Sequence, residues 1–475
     1  MDAVGSFARS RWGVRFTTRR GLERHRRRAI RRLLRERMPR ATASAHGYAA
    51  LADVPVVDKA AVLADFAGWN ALGIDLEAAL AAARTAERTR DFSGLLPGGI
   101  TVGLSSGTSG RPGVFLVDAS ERMRWAGTVL GRLLDRRSLR QLLVPWRAPV
   151  RIAFCLRANS TLYESVASRR LDFRFVDLVA AFADVLAAVA AARPDVLVAP
   201  ASVLGDLARA QRRGGLAIAP RTVVAVAEVF DPADAEAAER AWGVRPRRVY
   251  QATEGLLALD CAHGRLHLNE RGVVVEPEWL DTEHRRFTPI VTDLERRTQL
   301  VVRYRLDDVL RLPAGADWDA PATCPCGDPS RVIEAVEGRA DEVVEALGPD
   351  GGTVRVFPDT IRRAMALAVA DGDSGGREDG AEWAIRWTPG RLEVALERTG
   401  DARADAALDT AVRRALAGLF ATVGARPPDV RITAWAPPPP GDKLVRIRRA
   451  AGASTSPAEA TPEAAAVAEG AVHAG

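Results

Sequence analysis

Two short apolar runs, Ile100–Leu104 and Val114–Val117, enclose Ser105-Ser106-Gly107-Thr108-Ser109-Gly110-Arg111-Pro112-Gly113. Three glycines and four hydroxyls in nine residues make a loop whose backbone N–H and side-chain O–H groups can converge on anionic oxygens. Phosphate fits that chemistry, although the Gly-x-x-x-x-Gly-Lys-Ser/Thr spacing of a Walker loop does not occur there. Gly103-Leu104-Ser105-Ser106-Gly107 also matches the Gly-x-Ser-x-Gly nucleophile elbow, in which Ser105 would attack an ester. An elbow needs a helix directly after its serine. Here Gly107, Gly110, Pro112 and Gly113 lead into a second strand, so the phosphate loop is the stronger reading and a plain Ser/Gly turn the bland one.

A second set is metal-ligating. Cys261, His263 and His267 lie within seven residues, and Cys324-Pro325-Cys326 follows about sixty residues on. Thiolates with an imidazole suit tetrahedral zinc, and Leu266 and Leu268 place His267 on a strand while His263 falls in the Gly264 turn. The expected set is therefore Cys261, His267, Cys324 and Cys326, closed and structural; the plainer reading is reduced cysteines in turns with no metal. Cys155, inside Val150–Leu156, reads as core.

The third feature is compositional. Of 67 basic residues only Lys59 and Lys443 are lysine. An Arg- and Ala-heavy composition reads as coding bias, since most surface sites tolerate either cation, and a lysine that survives it is a candidate for chemistry a guanidinium cannot do. Residues 1–40 hold fourteen arginines against Asp2, Glu23 and Glu36, a net of +11, which leaves the remaining chain at −4 of the total +7. A nucleic-acid binder would spread its positive charge along a groove, so that class is disfavoured. Leu22, Ile30, Leu33 and Leu34 predict an apolar stripe on a basic helix, a solvated structural element before an anionic-surface contact. With no run of about 18 apolar residues, no signal-peptide core and four cysteines in 475 residues, the expectation is a cytoplasmic protein without a transmembrane segment or disulfide framework.

The elements that must position these residues read as α/β. Ala-rich helical patterns at about 59–67, 76–90, 120–140, 176–193, 202–213 and 232–241 alternate with apolar runs Val150–Leu156, Asp195–Ala199, Thr222–Phe230 and Arg247–Tyr250. Short Val/Ile runs between helices predict strands buried on both faces. Val273–Glu276, Leu300–Tyr304 and Val309–Leu312 predict a strand-dominated stretch, and Pro313–Ala322 a loop. Beyond Gly338 the pattern becomes a small α+β unit: strand 341–346, a turn at Pro349–Gly352, helix 359–370, strands 382–387 and 391–397, helix 401–421 and strand 430–435. Residues 451–475, nearly devoid of large apolar side chains, read as a disordered tail.

The glycine-rich segment resembles the phosphate-binding signature of the adenylate-forming superfamily, the acyl-CoA synthetases and their relatives. Four further motifs follow in that family's order. Tyr250-Gln251-Ala252-Thr253-Glu254 is similar to its aromatic-x-x-Thr-Glu motif, and Tyr304-Arg305-Leu306-Asp307-Asp308 to its Tyr-Arg-x-Gly-Asp motif. Gly338-Arg339-Ala340-Asp341-Glu342 resembles the hinge between the large and small domains. Gly441-Asp442-Lys443-Leu444-Val445-Arg446 resembles the C-terminal lysine motif with one residue inserted. Val54-Pro55-Val56-Val57-Asp58-Lys59, the Cys324–Gly327 turn, Val356-Phe357-Pro358 and the segment Leu156–Glu164 are most similar to the phenylacetate-CoA ligase type and the deazaflavin-coenzyme (CoF) synthetase relatives. Asp307 stands where the family usually has Gly, and Arg111 where it usually has Lys.

The resemblance implies a large multi-layer α/β domain with a β-rich subdomain over 1–337, its first 45 residues basic and helical, and a small mobile α+β domain over 338–450. It also implies roles. Ser105, Ser106, Gly107, Thr108, Ser109 and Gly110 would hold the ATP phosphates, with Tyr250, Asp308 and Arg339 also in the nucleotide site. Thr253 would contact the α-phosphate, Glu254 would ligate Mg²⁺, and Asp308 would grip the ribose hydroxyls. Lys443 would bridge the carboxylate and α-phosphate, with Asp341 as the hinge. The implied reaction joins ATP and a small-molecule carboxylic acid into acyl-AMP and pyrophosphate, followed by thioester formation with CoA. AMP transfer to an acidic hydroxyl of a deazaflavin and an inactive nucleotide-binding relative remain open at this point. Asn159, Tyr163 and Ala227–Phe230 are candidate acyl-pocket residues, more often packing than recognition.

Overall fold

The computed structural model describes residues 2–12, 16–38, 48–89, 96, 98–104, 113–156, 168–230, 232–372, 381–437 and 444–450. The chain opens with α1 (Asp2–Arg11) and α2 (Arg19–Arg32), the latter continued by a π-helical turn at Leu33–Arg37. Leu22, Leu33 and Leu34 are buried, as the stripe predicts, and the polar face is less solvated than expected. Arg19, Arg26 and Arg331 surround the buried carboxylate of Glu270, so part of the basic segment is an internal ion cluster.

Next come α3 (Lys59–Ala64), α4 (Leu76–Thr89) and the hairpin β1 (Thr101–Leu104) and β2 (Val114–Val117), the two strands expected around the glycine-rich loop. The single helix expected over 120–140 is two, α5 (Ala119–Leu133) and α6 (Arg136–Leu143), because the Asp135 carboxylate accepts the Arg137 and Ser138 N–H groups and starts a new helix. Then follow β3 (Val150–Leu156), β4 (Leu171–Asp177), α7 (Phe182–Ala192), β5 (Val196–Pro200), α8 (Ala201–Arg212), β6 (Thr222–Val226), α9 (Pro232–Trp242), β7 (Arg247–Ala252), β8 (Gly255–Asp260) and β9 (Leu266–Leu268). The helix expected from 176 begins at 182. Residues 171–177 instead pair in parallel with β3 along its whole length, an edge strand whose charged residues Asp172 and Arg174 mask the pattern.

A β-rich stretch follows: β10 (Val273–Trp279), β11 (Arg286–Asp293), β12 (Tyr304–Arg305), β13 (Asp308–Arg311), β14 (Val332–Ile333) and β15 (Ala335–Arg339). Of the strand expected over Leu300–Tyr304 only its last residue pairs as one, in β12. The chain ends in β16 (Val344–Leu347), β17 (Thr353–Val356), α10 (Pro358–Gly372), β18 (Trp383–Thr388), β19 (Arg391–Leu396), α11 (Ala402–Thr422), β20 (Asp429–Ala434) and β21 (Ile447–Arg449). The strand expected from Asp341 starts at Val344, after a 3₁₀ turn at Ala340–Glu342.

Among the described residues the central sheet has eight strands in the order β14-β9-β8-β7-β6-β5-β3-β4, parallel from β4 to β7 and antiparallel beyond it. Helices cover both faces, the arrangement near-continuous apolar strands require. Ala153, Leu197 and Val223 meet the α7–α8 side, and Ile152, Val198 and Val224 the α5 side. β10, β11, β13 and β15 form a second sheet joined by β12, and Phe287, Val291 and Leu310 pack it onto the first. The last four strands form their own sheet, with a separate core built on Trp387, Ile385, Val412 and Phe420. No helix among the described residues is long and apolar enough to cross a membrane.

Candidate active site

Strand β7 is the last of the parallel set, and its carboxyl end turns directly into β8. Ala252 pairs with Gly255, which leaves Thr253 and Glu254 as the turn, at the edge where open α/β sheets bind ligands. Gly255 is needed there, because a Cβ would stand 2.8 Å from Asp293 Oδ2. Asp293 Oδ1 accepts the Glu295 and Arg296 N–H groups at 2.7 and 2.9 Å, and burial pushes its carboxyl up to about 7.

The buried Arg296 guanidinium then donates to Thr253 C=O and to Leu116 C=O, each at 2.8 Å. It ties the Thr-Glu turn to the strand that follows the glycine-rich loop. Gln299 adds a second bracket, its Oε1 accepting Leu116 N–H at 2.9 Å, and Glu121 Oε1 accepts Thr298 N–H at 3.0 Å. Sequence reading missed Arg296, since one arginine among 65 carries no local signal. Arg296→Met strands two carbonyls and is expected to cost about 3 kcal/mol by urea denaturation; a loss below about 1 kcal/mol would mean the bracket is dispensable.

The turn faces a cavity of about 900 Å³. Tyr250, Thr253 and Glu254 line it from one side, Asp307, Asp308 and Arg339 from another, and Leu444, Val445 and Arg446 from the C-terminal unit. Lys59 and Leu104 also reach it. Tyr250 donates its hydroxyl to Asp308 Oδ2 at 2.5 Å, which fixes that carboxylate; burial, then Asp308, pushes the phenol well above its usual range. Asp307 is drawn off to Arg339, whose Nη2 lies 3.0 Å from its Oδ2, so the extra carboxylate is paired beside Asp308. Burial raises the Glu254 carboxyl, and Asp308 adds to it against hydrogen bonds from Thr253 and the Glu254 backbone. Asp341 does not line the cavity: it sits on the 3₁₀ turn, 3.7 Å from Arg339 Nε, its carboxyl raised by burial against the pull of Arg339.

The structure thus brings Tyr250, Thr253, Glu254, Asp308 and Arg339 onto one cavity and leaves Asp341 just outside it. Ser105, Ser106, Gly107, Thr108, Ser109, Gly110, Arg111, Asn159, Tyr163, Lys443 and the 451–475 tail lie outside the described residues. Ala227, Glu228, Val229 and Phe230 do line the cavity. Ala227 holds φ +64° between Val226 C=O and Glu228 N–H, which bond at 2.8 Å, a strained turn of the kind found where a chain bends around a ligand.

Cys261, His267, Cys324 and Cys326 form a second centre, their ligand atoms all within 4.8 Å of one another. The Cys261 and Cys324 sulfurs are 3.9 Å apart, and Cys326 Sγ is 3.5 Å from His267 Nε2. Around tetrahedral zinc, with bonds of about 2.3 Å to sulfur and 2.0 Å to nitrogen, ligand atoms stand roughly 3.5–3.8 Å apart. His267 Nδ1 lies 3.1 Å from Ser330 C=O; donating there leaves Nε2 free to ligate, and burial holds the ring neutral. The His263 and Asp328 N–H groups each donate to a cysteine sulfur at 3.4 Å. Burial, against a hydrogen bond from the Asp328 N–H, pushes the Cys326 thiol up to about 12. His263 contributes its backbone and is not among the four, as its turn position predicts.

No protein-family model matches the chain, and no curated protein sequence does. Two solved structures of a 2-hydroxyisobutyryl-CoA ligase in the postadenylation state resemble it. The complex with R3-HIB-AMP superposes with a TM-score of 0.54 at 16% identity, over 94% of this chain and 89% of that one. The complex with 2-HIB-AMP gives 0.51 at 16%, over 95% and 88%. At this identity the likeness is one of architecture: the chain shares the fold of that CoA ligase.

Proposed function

We propose that the protein activates a carboxylic acid with ATP, forming acyl-AMP and pyrophosphate, and passes the acyl group to CoA. The carrying observation is the convergence of the Thr253–Glu254 turn, Asp308 and Arg339 on one large cavity that the residues after Lys443 also line. ATP would lie with its ribose on Asp308, already oriented by Tyr250, and its triphosphate towards the glycine-rich loop Ser105–Gly110. Thr253, in a turn clamped by Arg296, would bond the α-phosphate. Glu254, a carboxylate whose ionised form burial disfavours, fits Mg²⁺, which when bound would offset that cost and neutralise the phosphate oxygens. Lys443 would draw the acid's carboxylate against the α-phosphate for in-line attack, a role for a compact ammonium. Acid-dependent exchange of labelled pyrophosphate into ATP tests the reading directly.

CoA transfer requires residues 338–450 to act as a small mobile domain turning at Asp341, and a separate core supports that division. In the described arrangement the unit is held by ion pairs from Asp359 to Arg286 (3.6 Å) and to Arg311, and by the Arg362 guanidinium, which donates to Glu337 C=O at 2.5 Å.

We further assign Cys261, His267, Cys324 and Cys326 to a structural zinc that pins the 313–331 loop to the end of the central sheet; free cysteines and such a site fit a cytoplasmic address. About one equivalent of zinc is expected by metal analysis of protein from metal-replete cells, and Cys324→Ser is expected to lose it together with several degrees of melting temperature. Less than a tenth of an equivalent in the wild type would contradict the assignment.

A further inference from the structure

The cavity continues past the nucleotide end into a hollow between α5 and the central sheet. On the sheet side it follows alternate residues of one face: Ile152, Phe154 and Leu156 on β3, with Val196, Val198 and Pro200 on β5. On the helix side Trp125, Ala126, Val129, Leu130 and Leu133 recur at three- and four-residue intervals along one face of α5. Trp125, Val129, Leu130, Phe154 and Phe173 are only partly buried, although they lie in the middle of a helix-on-sheet sandwich. A packed interior leaves no such apolar space unfilled.

The hollow cannot close by helix α5 settling onto the sheet without breaking its other contact. Gly127 and Gly131 on the opposite face of α5 receive α1 so closely that a Cβ would stand 2.2 Å from Ala3 C=O and 2.8 Å from Phe7 C=O. Among the described lining residues near α5 and the carboxyl end of the sheet, the charged ones include Glu87, Arg122 and Glu228. Arg122, on the first turns of α5, donates to the Thr101 hydroxyl, and Glu228 Oε2 accepts from Ser202 Oγ at 2.6 Å at the carboxyl end of the sheet. From Ile152 to Leu156 the strand advances about 13 Å, and from Arg122 to Leu133 the helix advances about 16 Å. The space is therefore elongated as well as apolar, and the total of about 900 Å³ is near the upper end of small-molecule sites, roughly 300–1,000 Å³.

Resting on the adenylation reading above, we propose that the acid is a monocarboxylate with an extended hydrocarbon tail, of the medium- to long-chain fatty type, whose tail lies under α5 and whose carboxylate emerges at Thr253. A small hydroxy acid, such as the one in the complexes the fold resembles, would leave most of the hollow empty. Among the described residues, a dicarboxylate would set its second charge against the apolar side chains of Val129, Leu130 and Phe154.

Pyrophosphate exchange measured with acetate, butyrate, octanoate, decanoate, phenylacetate and 2-hydroxyisobutyrate tests this in the full chain. We expect kcat/KM to climb with chain length by at least about 100-fold from butyrate to decanoate, since each methylene in an apolar pocket is worth roughly 10-fold or more. A flat or falling series, or phenylacetate or 2-hydroxyisobutyrate outperforming decanoate, overturns the proposal. Val129→Trp, which fills the hollow, is expected to lower the decanoate-to-acetate ratio at least tenfold; the ratio is insensitive to any fraction of protein that fails to fold, and an unchanged ratio also overturns it. Should no acid support exchange, the adenylation reading fails separately. Calorimetry with decanoate alone then decides the hollow: saturable micromolar binding, weakened by Val129→Trp, sustains it, and no binding removes it.

Discussion

Lys443→Arg is expected to lower acid-dependent pyrophosphate exchange at least about 100-fold with little change in nucleotide affinity. The substitution keeps the formal charge, in a chain where 65 of 67 basic residues are already arginine. What it removes is compactness. An ammonium can stand as a point charge between a carboxylate oxygen and an α-phosphate oxygen, whereas a planar guanidinium spreads its charge over a fork that engages one partner bidentately. Leu444, Val445 and Arg446, which follow Lys443 in the chain, line the cavity that Thr253 and Glu254 face. Binding of ATP measured by calorimetry separates the outcomes: lost exchange with retained ATP binding is the expected pair, and near-normal exchange would remove Lys443 from the mechanism.

Glu254→Gln should cost 10²- to 10³-fold in exchange and abolish its response to Mg²⁺ between micromolar and millimolar concentrations. The glutamine has the shape of the glutamate and can still accept a hydrogen bond, which leaves the β7–β8 turn intact; the charge alone is lost. Burial, with help from Asp308, holds this carboxyl above the ordinary glutamate range. In the free protein it therefore takes up its proton at a higher pH than a surface glutamate, and protonation would remove the charge proposed to ligate Mg²⁺. Exchange at subsaturating Mg²⁺ should fall as pH drops through that raised value and recover with added metal. A variant as active and as Mg²⁺-dependent as the wild type would exclude Glu254 as the ligand.

The parts of this molecule legible in its sequence are those set by short-range chemistry. Val150–Leu156 reads as a buried strand and is one, residue for residue, because a run of large apolar side chains with β-branched members has few other uses. The Cys261, His267, Cys324 and Cys326 quartet could be chosen over His263 because Leu266 and Leu268 frame a strand and Gly264 a turn, and Gly264 indeed holds φ +68°. Long-range pairing was not legible. β4 is charged and at the sheet edge, so its strand character comes from β3 alone. The break at Asp135 is a capping bond that the helical periodicity on either side hides. Arg296 matters because folding carries it to Thr253, 43 residues away, and to Leu116, 180 residues away. The hollow under α5 is equally non-local: its residues look like core in every window of the chain, while α1 packs on Gly127 and Gly131 on the far side of the helix.

The most direct measurement is exchange of radiolabelled pyrophosphate into ATP by the purified full chain with Mg²⁺, across the acid series, alongside mass spectrometry of the quenched mixture. Acid activation by Thr253, Glu254, Asp308 and Lys443 predicts exchange that needs both the acid and Mg²⁺, with a species of acyl-AMP mass that disappears when CoA is added and acyl-CoA accumulates. ATP binding without exchange or acyl-AMP for any acid would contradict it.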